Sequence, residues 1–199
     1  MSNSKLKYLS SRVSVKEGVD RFSMVITNSI LKWKVHLLQF WMVSWGFCGL
    51  VFMYFLSQDG EREFKLGLVI MLVFWALFMF KSIRVYRWRT VGYEKIALEN
   101  GVLQMGRYFG KRGLPKSIEL SNVTDCGRTQ LTETSFAGFF QNSFWVIGGE
   151  KLMIRALGKD HIFGCQLNEK EQDQVLKVLT KALEKANKRK EKLVESVVD

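Results

Sequence analysis

"LLQFWMVSWGFCGLVFMYFL", Leu37 to Leu56, runs for twenty residues without an Asp, Glu, Lys or Arg. A soluble helix that buries one face alternates apolar and polar positions on a period of about 3.6 residues. Here only Gln39, Ser44 and Cys48 interrupt a stretch that is apolar all round. At about 1.5 Å per residue such a helix covers about 30 Å, the hydrocarbon thickness of a bilayer. The segment reads as a transmembrane span. It starts too late and runs too long for a cleaved signal, and no small-x-small site follows it, so it is expected to stay in the mature protein.

A second apolar run, "LGLVIMLVFWALFMF" from Leu66 to Phe80, follows the polar stretch "SQDGEREFK". It is short for a span, but Phe64, Ile83 and the stems of Lys65 and Lys81 extend its reach. So short a connection joins antiparallel neighbours, and the two runs predict a helical hairpin over residues 37–83 with an external loop at 57–65. Ser44 and Cys48, with Gly46 and Gly49 beside them, form a small-residue stripe suited to close helix packing. Lys5, Lys7, Arg12, Lys16, Arg21, Lys32 and Lys34 precede the first span, and Lys81, Arg84, Arg87 and Arg89 follow the second. The connecting loop is acidic. Because Lys and Arg resist translocation, both termini are expected in the cytoplasm. The net charge of +11 is concentrated beside the spans. It points to anionic phospholipid rather than nucleic acid.

Ahead of the hairpin, residues 1–36 form an arm in which Val15, Val19, Phe22, Ile26, Ile30 and Trp33 recur at spacings of three and four. This predicts an amphipathic helix, lying on the membrane with Trp33 at the headgroups, or packed on the protein's own domain or a partner. A basic juxtamembrane linker is expected over 84–92. Beyond Gly92 the period changes. "YEKIALENGVLQMGRYFG" reads as two strands joined at Asn100-Gly101, a pair that takes positive φ at little cost. "KSIELSNV" is a further strand, and "SFWVIGGEKLMIRALGKDHIFGCQL" gives three more, turning at Gly148-Gly149 and at Gly158-Lys159-Asp160. "NEKEQDQVLKVLTKALEKA" opens with Asn168 and Glu171, close to a capping box, and carries Val175, Leu176, Leu179 and Leu183 on one face. The fold class is α+β: a transmembrane helical hairpin, then an antiparallel β-barrel or sheet over 93–184 closed by a C-terminal helix, with a basic helical tail at 185–199.

The runs "YEKIALENGVLQMGRYFG", "LPKSIELSNV", "LMIRAL" and "HIFGCQLNEKEQDQVLKVL", in that order after the hairpin, resemble the bacterial pleckstrin-homology-like membrane proteins. In that family a two-helix hairpin precedes such a domain. The resemblance covers about Leu37 to Leu183, through segment order and strand pattern. It implies a pleckstrin-homology-like barrel plugged by its last helix, held at the inner membrane of a bacterium. Eukaryotic domains of this type hold inositol lipids through a basic inter-strand loop, whose motif spacing is not reproduced here. The long arm and the insertion "TQLTETSFAGFFQN" depart from the family layout.

Chemistry is sparsely represented. Cys48, Cys126 and Cys165 show neither metal-ligand spacing nor a disulfide framework and read as reduced and structural. His36 sits at the mouth of the first span, where an interfacial role outweighs haem or chlorophyll ligation. His161 is expected in a solvated hairpin turn. No nucleophile elbow, zinc helix, Walker or dinucleotide pattern occurs, and Gly106, Gly110 and Gly113 read as a flexible loop. No catalytic residue, metal or cofactor is assigned, and the expectation is a protein that is not an enzyme. Two binding surfaces stand out. Arg107, Lys111, Arg112 and Lys116 cluster in or beside one loop, a lipid-headgroup site or a solvated basic turn. Phe136, Phe139, Phe140 and Phe144 would share one face of a short helix, covered by the domain core, the bilayer or a partner. The expected function is an accessory or assembly subunit docking onto a larger membrane protein complex, with an anionic-headgroup sensor as the alternative and homo-oligomerisation left open.

Overall fold

The computed structural model describes residues 5–18, 21–28, 30–129, 143 and 145–198. They divide into two compact units, one of residues 1–28, 91–143 and 148–199, the other of residues 29–90 and 144–147. The first unit is built mainly of strands, and it begins where the sequence suggests a helix. Lys5–Tyr8 (β1), Val13–Glu17 (β2) and Arg21–Thr27 (β3) are extended. The reason lies in the periodicity: the spacings of four from Val15 to Val19 and from Phe22 to Ile26 suit a period of 2 as well as one of 3.6. The burial decides for the strand, since Phe22, Met24 and Ile26 point inward while Ser23 and Val25 are only half-buried. Of the expected amphipathic face, Val15, Phe22 and Ile26 are thus core residues of strands, Ile30 is half-buried, Trp33 is exposed on a helix, and Val19 lies outside the described residues.

Strand β3 pairs with Gly92–Glu99 (β4) in antiparallel register, from Thr27 opposite Tyr93 to Arg21 opposite Glu99. The whole of residues 28–91 therefore lies between two neighbouring strands. Strand β4 turns at Asn100 and Gly101, both at positive φ (51° and 73°), into Val102–Phe109 (β5), as the Asn-Gly pair predicts. Arg112–Gly113 (β6) and Lys116–Glu119 (β7) pair with successive halves of β5, separated by Leu114 and Pro115. Pro115 lacks the N–H that a continuous strand would need. Gly106 and Gly113 belong to strands and only Gly110 to the turn; a Cβ on Gly106 would stand 2.9 Å from the Pro115 Cα, so the close approach of that segment requires a glycine. A 3₁₀ turn at Leu120–Asn122 leads into the second sheet, Val123–Arg128 (β8), Glu150–Ala156 (β9) and Lys159–Cys165 (β10). The last hairpin turns at Leu157 and Gly158, one residue earlier than expected, and the described residues between 143 and 149 form no strand.

Alternating positions of both sheets meet in one core, with Met24, Leu103, Leu152 and Ile154 fully enclosed. The helix Glu169–Val198 (α3) adds Val175, Leu179 and Leu183 to it. Its start is a reciprocal cap: the Glu171 N–H donates to Asn168 Oδ1 at 2.8 Å and the Asn168 N–H to Glu171 Oε2 at 3.1 Å. Replacing Asn168 with Ala is expected to lower the unfolding free energy by about 1 kcal/mol, read from denaturant titration.

The second unit holds the helical hairpin, Lys32–Ser57 (α1) and Arg62–Val91 (α2). Both helices are long and apolar enough to cross a bilayer, and their apolar windows are almost wholly unburied, which points to membrane anchoring. The stretch 84–92, expected as a linker, continues α2 up to Val91, with Arg89 buried and donating to the Val146 carbonyl at 2.9 Å. The helices meet through Gly49, where an added Cβ would overlap the Trp75 indole, and through Gly46 opposite Met79. Trp75 Nε1 donates to the Trp45 carbonyl at 2.7 Å, and Gln39 Nε2 to the Tyr86 hydroxyl at 2.8 Å. Ser44 and Cys48 are exposed, so the small-residue contact runs along Gly46 and Gly49 and leaves the other pair facing outward. Gly49→Val is expected to cost about 1 to 3 kcal/mol through overpacking, measured by thermal unfolding in detergent.

Candidate functional site

The turn after β5 brings three of the four expected basic side chains together, because β6 folds straight back on β5. Lys111, Arg112 and Lys116 are exposed and, with Arg107, line a cleft of about 880 Å³. Its other wall is β10, through Asp160, His161, Ile162 and Phe163. His161 is therefore a half-buried strand residue rather than part of a solvated turn. Asp160 carries its own partner, Arg155, whose Nε donates at 2.7 Å and holds the carboxyl below its usual range. Leu114, 91 % exposed, stands at the rim between the cations.

Arg107 does something different from its neighbours. It lies directly opposite Glu94 in the β4–β5 register, with its Nε 3.4 Å from Glu94 Oε1, and it also pairs with Glu150 of β9. Both carboxylates are buried, whereas the Arg107 side chain is 39 % exposed. Glu94 Oε2 accepts the N–H groups of Gly164 at 2.6 Å and Cys165 at 3.3 Å on β10. Burial pushes the Glu94 carboxyl up from its ordinary value, against the opposing pull of Arg107 and these donors. The cluster ties the first sheet to the second. Arg12 makes a parallel connection, donating to the carbonyls of Gln166 at 3.0 Å and Cys165 at 3.1 Å. Arg107 is thus held by buried carboxylates, leaving Lys111, Arg112 and Lys116 as the exposed cations of the cleft.

Burial and the neighbouring Asp125 push Cys126 up to about 11, so it stays protonated at neutral pH, and the buried Cys165 Sγ donates to the Gly148 carbonyl. His36 shares a hydrogen bond with Gln39 Oε1 at 3.1 Å. Among the described residues no group of three His, Cys, Asp or Glu side chains stands together in a way that could hold a metal ion. Phe136, Phe139, Phe140 and Phe144 lie outside the described residues.

Sequence reasoning missed the carboxylates Glu94 and Glu150 and the role of Arg12. An available signal was the alternation in "YEKIALE", which puts Glu94 on the same face as Ile96 and Leu98. No protein-family model, curated protein or solved structure matches the chain.

Proposed function

We propose that this chain is a non-enzymatic binding protein anchored in a bacterial inner membrane, with its β domain on the cytoplasmic side, serving as an accessory or assembly subunit of a larger membrane complex. The observation that carries this reading is the insertion of the apolar hairpin between paired strands β3 and β4. Two chain connections, rather than one flexible tether, hold the folded domain to its anchor. Strands β3 and β4 meet at Thr27 and Tyr93, so the chain sets out for and returns from the helices at one end of one sheet. An even number of crossings then keeps both termini on one side, in agreement with the basic flanks and the acidic loop. Two antiparallel sheets closed by α3 suit a pleckstrin-homology-like domain.

Affinity purification of the tagged protein from native membranes in mild detergent, at moderate and high salt, tests the proposal. A stoichiometric membrane partner that survives high salt is the expected result. A lone protein at both salt concentrations would refute it.

A second reading, recognition of anionic phospholipid headgroups by Lys111, Arg112 and Lys116, is favoured by one hydrogen bond. The Gly110 N–H donates to the carbonyl of Val91, the last residue of α2, at 3.1 Å. The basic turn therefore sits at the end of the sheet that leads into the helices, where headgroups would be met. On this reading, Lys111→Glu with Arg112→Glu abolishes retention of co-purifying anionic lipid, measured by lipid mass spectrometry. Unchanged lipid content would rule it out.

A further inference from the structure

A second groove lies at the opposite end of the domain and belongs to none of the surfaces above. It encloses about 730 Å³ between α3 and the β4–β5 turn, and its lining includes Arg21, Phe22, Leu98, Asn100, Gly101 and Val102. Along α3, Ala182 and Ala186 are half-buried one turn apart and leave the floor open above Phe22 and Leu98. Beside them Lys181, Lys185, Arg189 and Lys190 supply positive charge, against Glu17 and Glu119 on the strand side. An apolar floor with one strongly basic wall fits a ligand that is itself amphipathic and acidic.

The shape decides between a lipid surface and a protein. The floor is recessed between α3 and the β4–β5 turn, where a helical segment can lie and a flat headgroup layer cannot enter. We infer that this groove is a docking site for an acidic, amphipathic helical segment of a protein partner. Lys181 and Lys185 are about 6 Å apart along α3, which matches carboxylates at i and i+4 of a helix laid alongside. The inference deepens the reading of the chain as a binding subunit and rests on it.

The test uses the full chain in nanodiscs of zwitterionic phosphatidylcholine and a fluorescent model helix with Glu at i and i+4 beside a Leu and Ala face, followed by anisotropy. Saturable binding is expected, weakened at least about tenfold by Lys181→Glu with Lys185→Glu, because like charges are then juxtaposed. The same charge change at Lys170 and Lys177, which are exposed on α3 outside the groove, is expected to leave binding intact. Ala182→Leu with Ala186→Leu fills the floor, keeps the lysines, and is expected to abolish binding as well. Equal binding of a twin peptide with Lys in place of Glu, equal loss in the Lys170 and Lys177 variant, or no saturable binding would each overturn the inference. A partner that survives purification from native membranes while the model helix fails to bind would remove the groove and keep the subunit reading. Groove binding without any native partner would do the reverse.

Discussion

A chain in which Asn28 is joined to Gly92 through an inserted Asn-Gly dipeptide, with residues 29–91 removed, is expected to fold as a soluble domain, whereas residues 92–199 alone are expected not to fold. The register provides the reason. Thr27 faces Tyr93, and the Asn28 N–H already donates to the Gly92 carbonyl at 3.2 Å, so a two-residue turn can close the gap. Strands β2 and β3 supply Val13, Val15, Phe22, Met24 and Ile26 to the core. Each such side chain contributes about 1.5 to 3 kcal/mol, so losing them removes an amount comparable with the whole stability of a small domain, about 5 to 15 kcal/mol. Their loss would also bare the edge of β4 along its full length. Size-exclusion chromatography, circular dichroism and cooperative thermal unfolding read the result. Cooperative folding of residues 92–199 by themselves would show that the N-terminal strands are dispensable.

Arg107→Ala is expected to destabilise the domain by about 3 kcal/mol near pH 8, the largest effect of any single substitution among the basic residues of the cleft. Removing one partner of a buried ion pair costs about 3 to 5 kcal/mol, and solvent access to Arg107 places this case at the low end. Two buried carboxylates, Glu94 and Glu150, would be left without the cation they share. The pH dependence follows from Glu94, whose carboxyl is already raised by burial in the folded protein. A carboxyl raised on folding binds its proton more tightly in the native state. Its contribution is complete below the unfolded value of about 4.3 and is lost as pH rises through the folded value. Without Arg107 the folded value rises further, so the deficit relative to the parent narrows as pH falls. Thermal unfolding between pH 5 and 8 checks the sign, and Glu94→Gln is expected to remove much of the parent's slope in that range. Lys111→Ala serves as the contrast, since an exposed side chain at this turn should stay within about 0.5 kcal/mol of the parent. Arg107→Ala with parent-like stability at every pH would show that the cluster does not hold the two sheets together.

The hairpin, the Asn100-Gly101 turn and the cap at Asn168 and Glu171 are all legible in the sequence, because each is specified within a few consecutive residues. A span needs only length and apolarity, a primed turn only two residues that tolerate positive φ, and a cap only two side chains three apart. The arm is different. Spacings of four satisfy both regular periods, and the choice between them falls to β4, which pairs with β3 from the far side of the whole helical hairpin. Arg107 misleads in a similar way, since its neighbours in the chain suggest a loop cation while its partners come from β4 and β9.

Chain order alone thus specifies the local features: two apolar helices, the Asn100-Gly101 turn, the cap, the amphipathic face of α3 and the presence of basic clusters. Contacts between distant segments make the hairpin an insertion between neighbouring strands, commit Arg107 to Glu94 and Glu150, and divide the remaining cations between two ends of one sheet. Strand pairing and ion pairing join residues far apart in the chain, so their outcome depends on register across elements and leaves no trace in the spacing within any one of them.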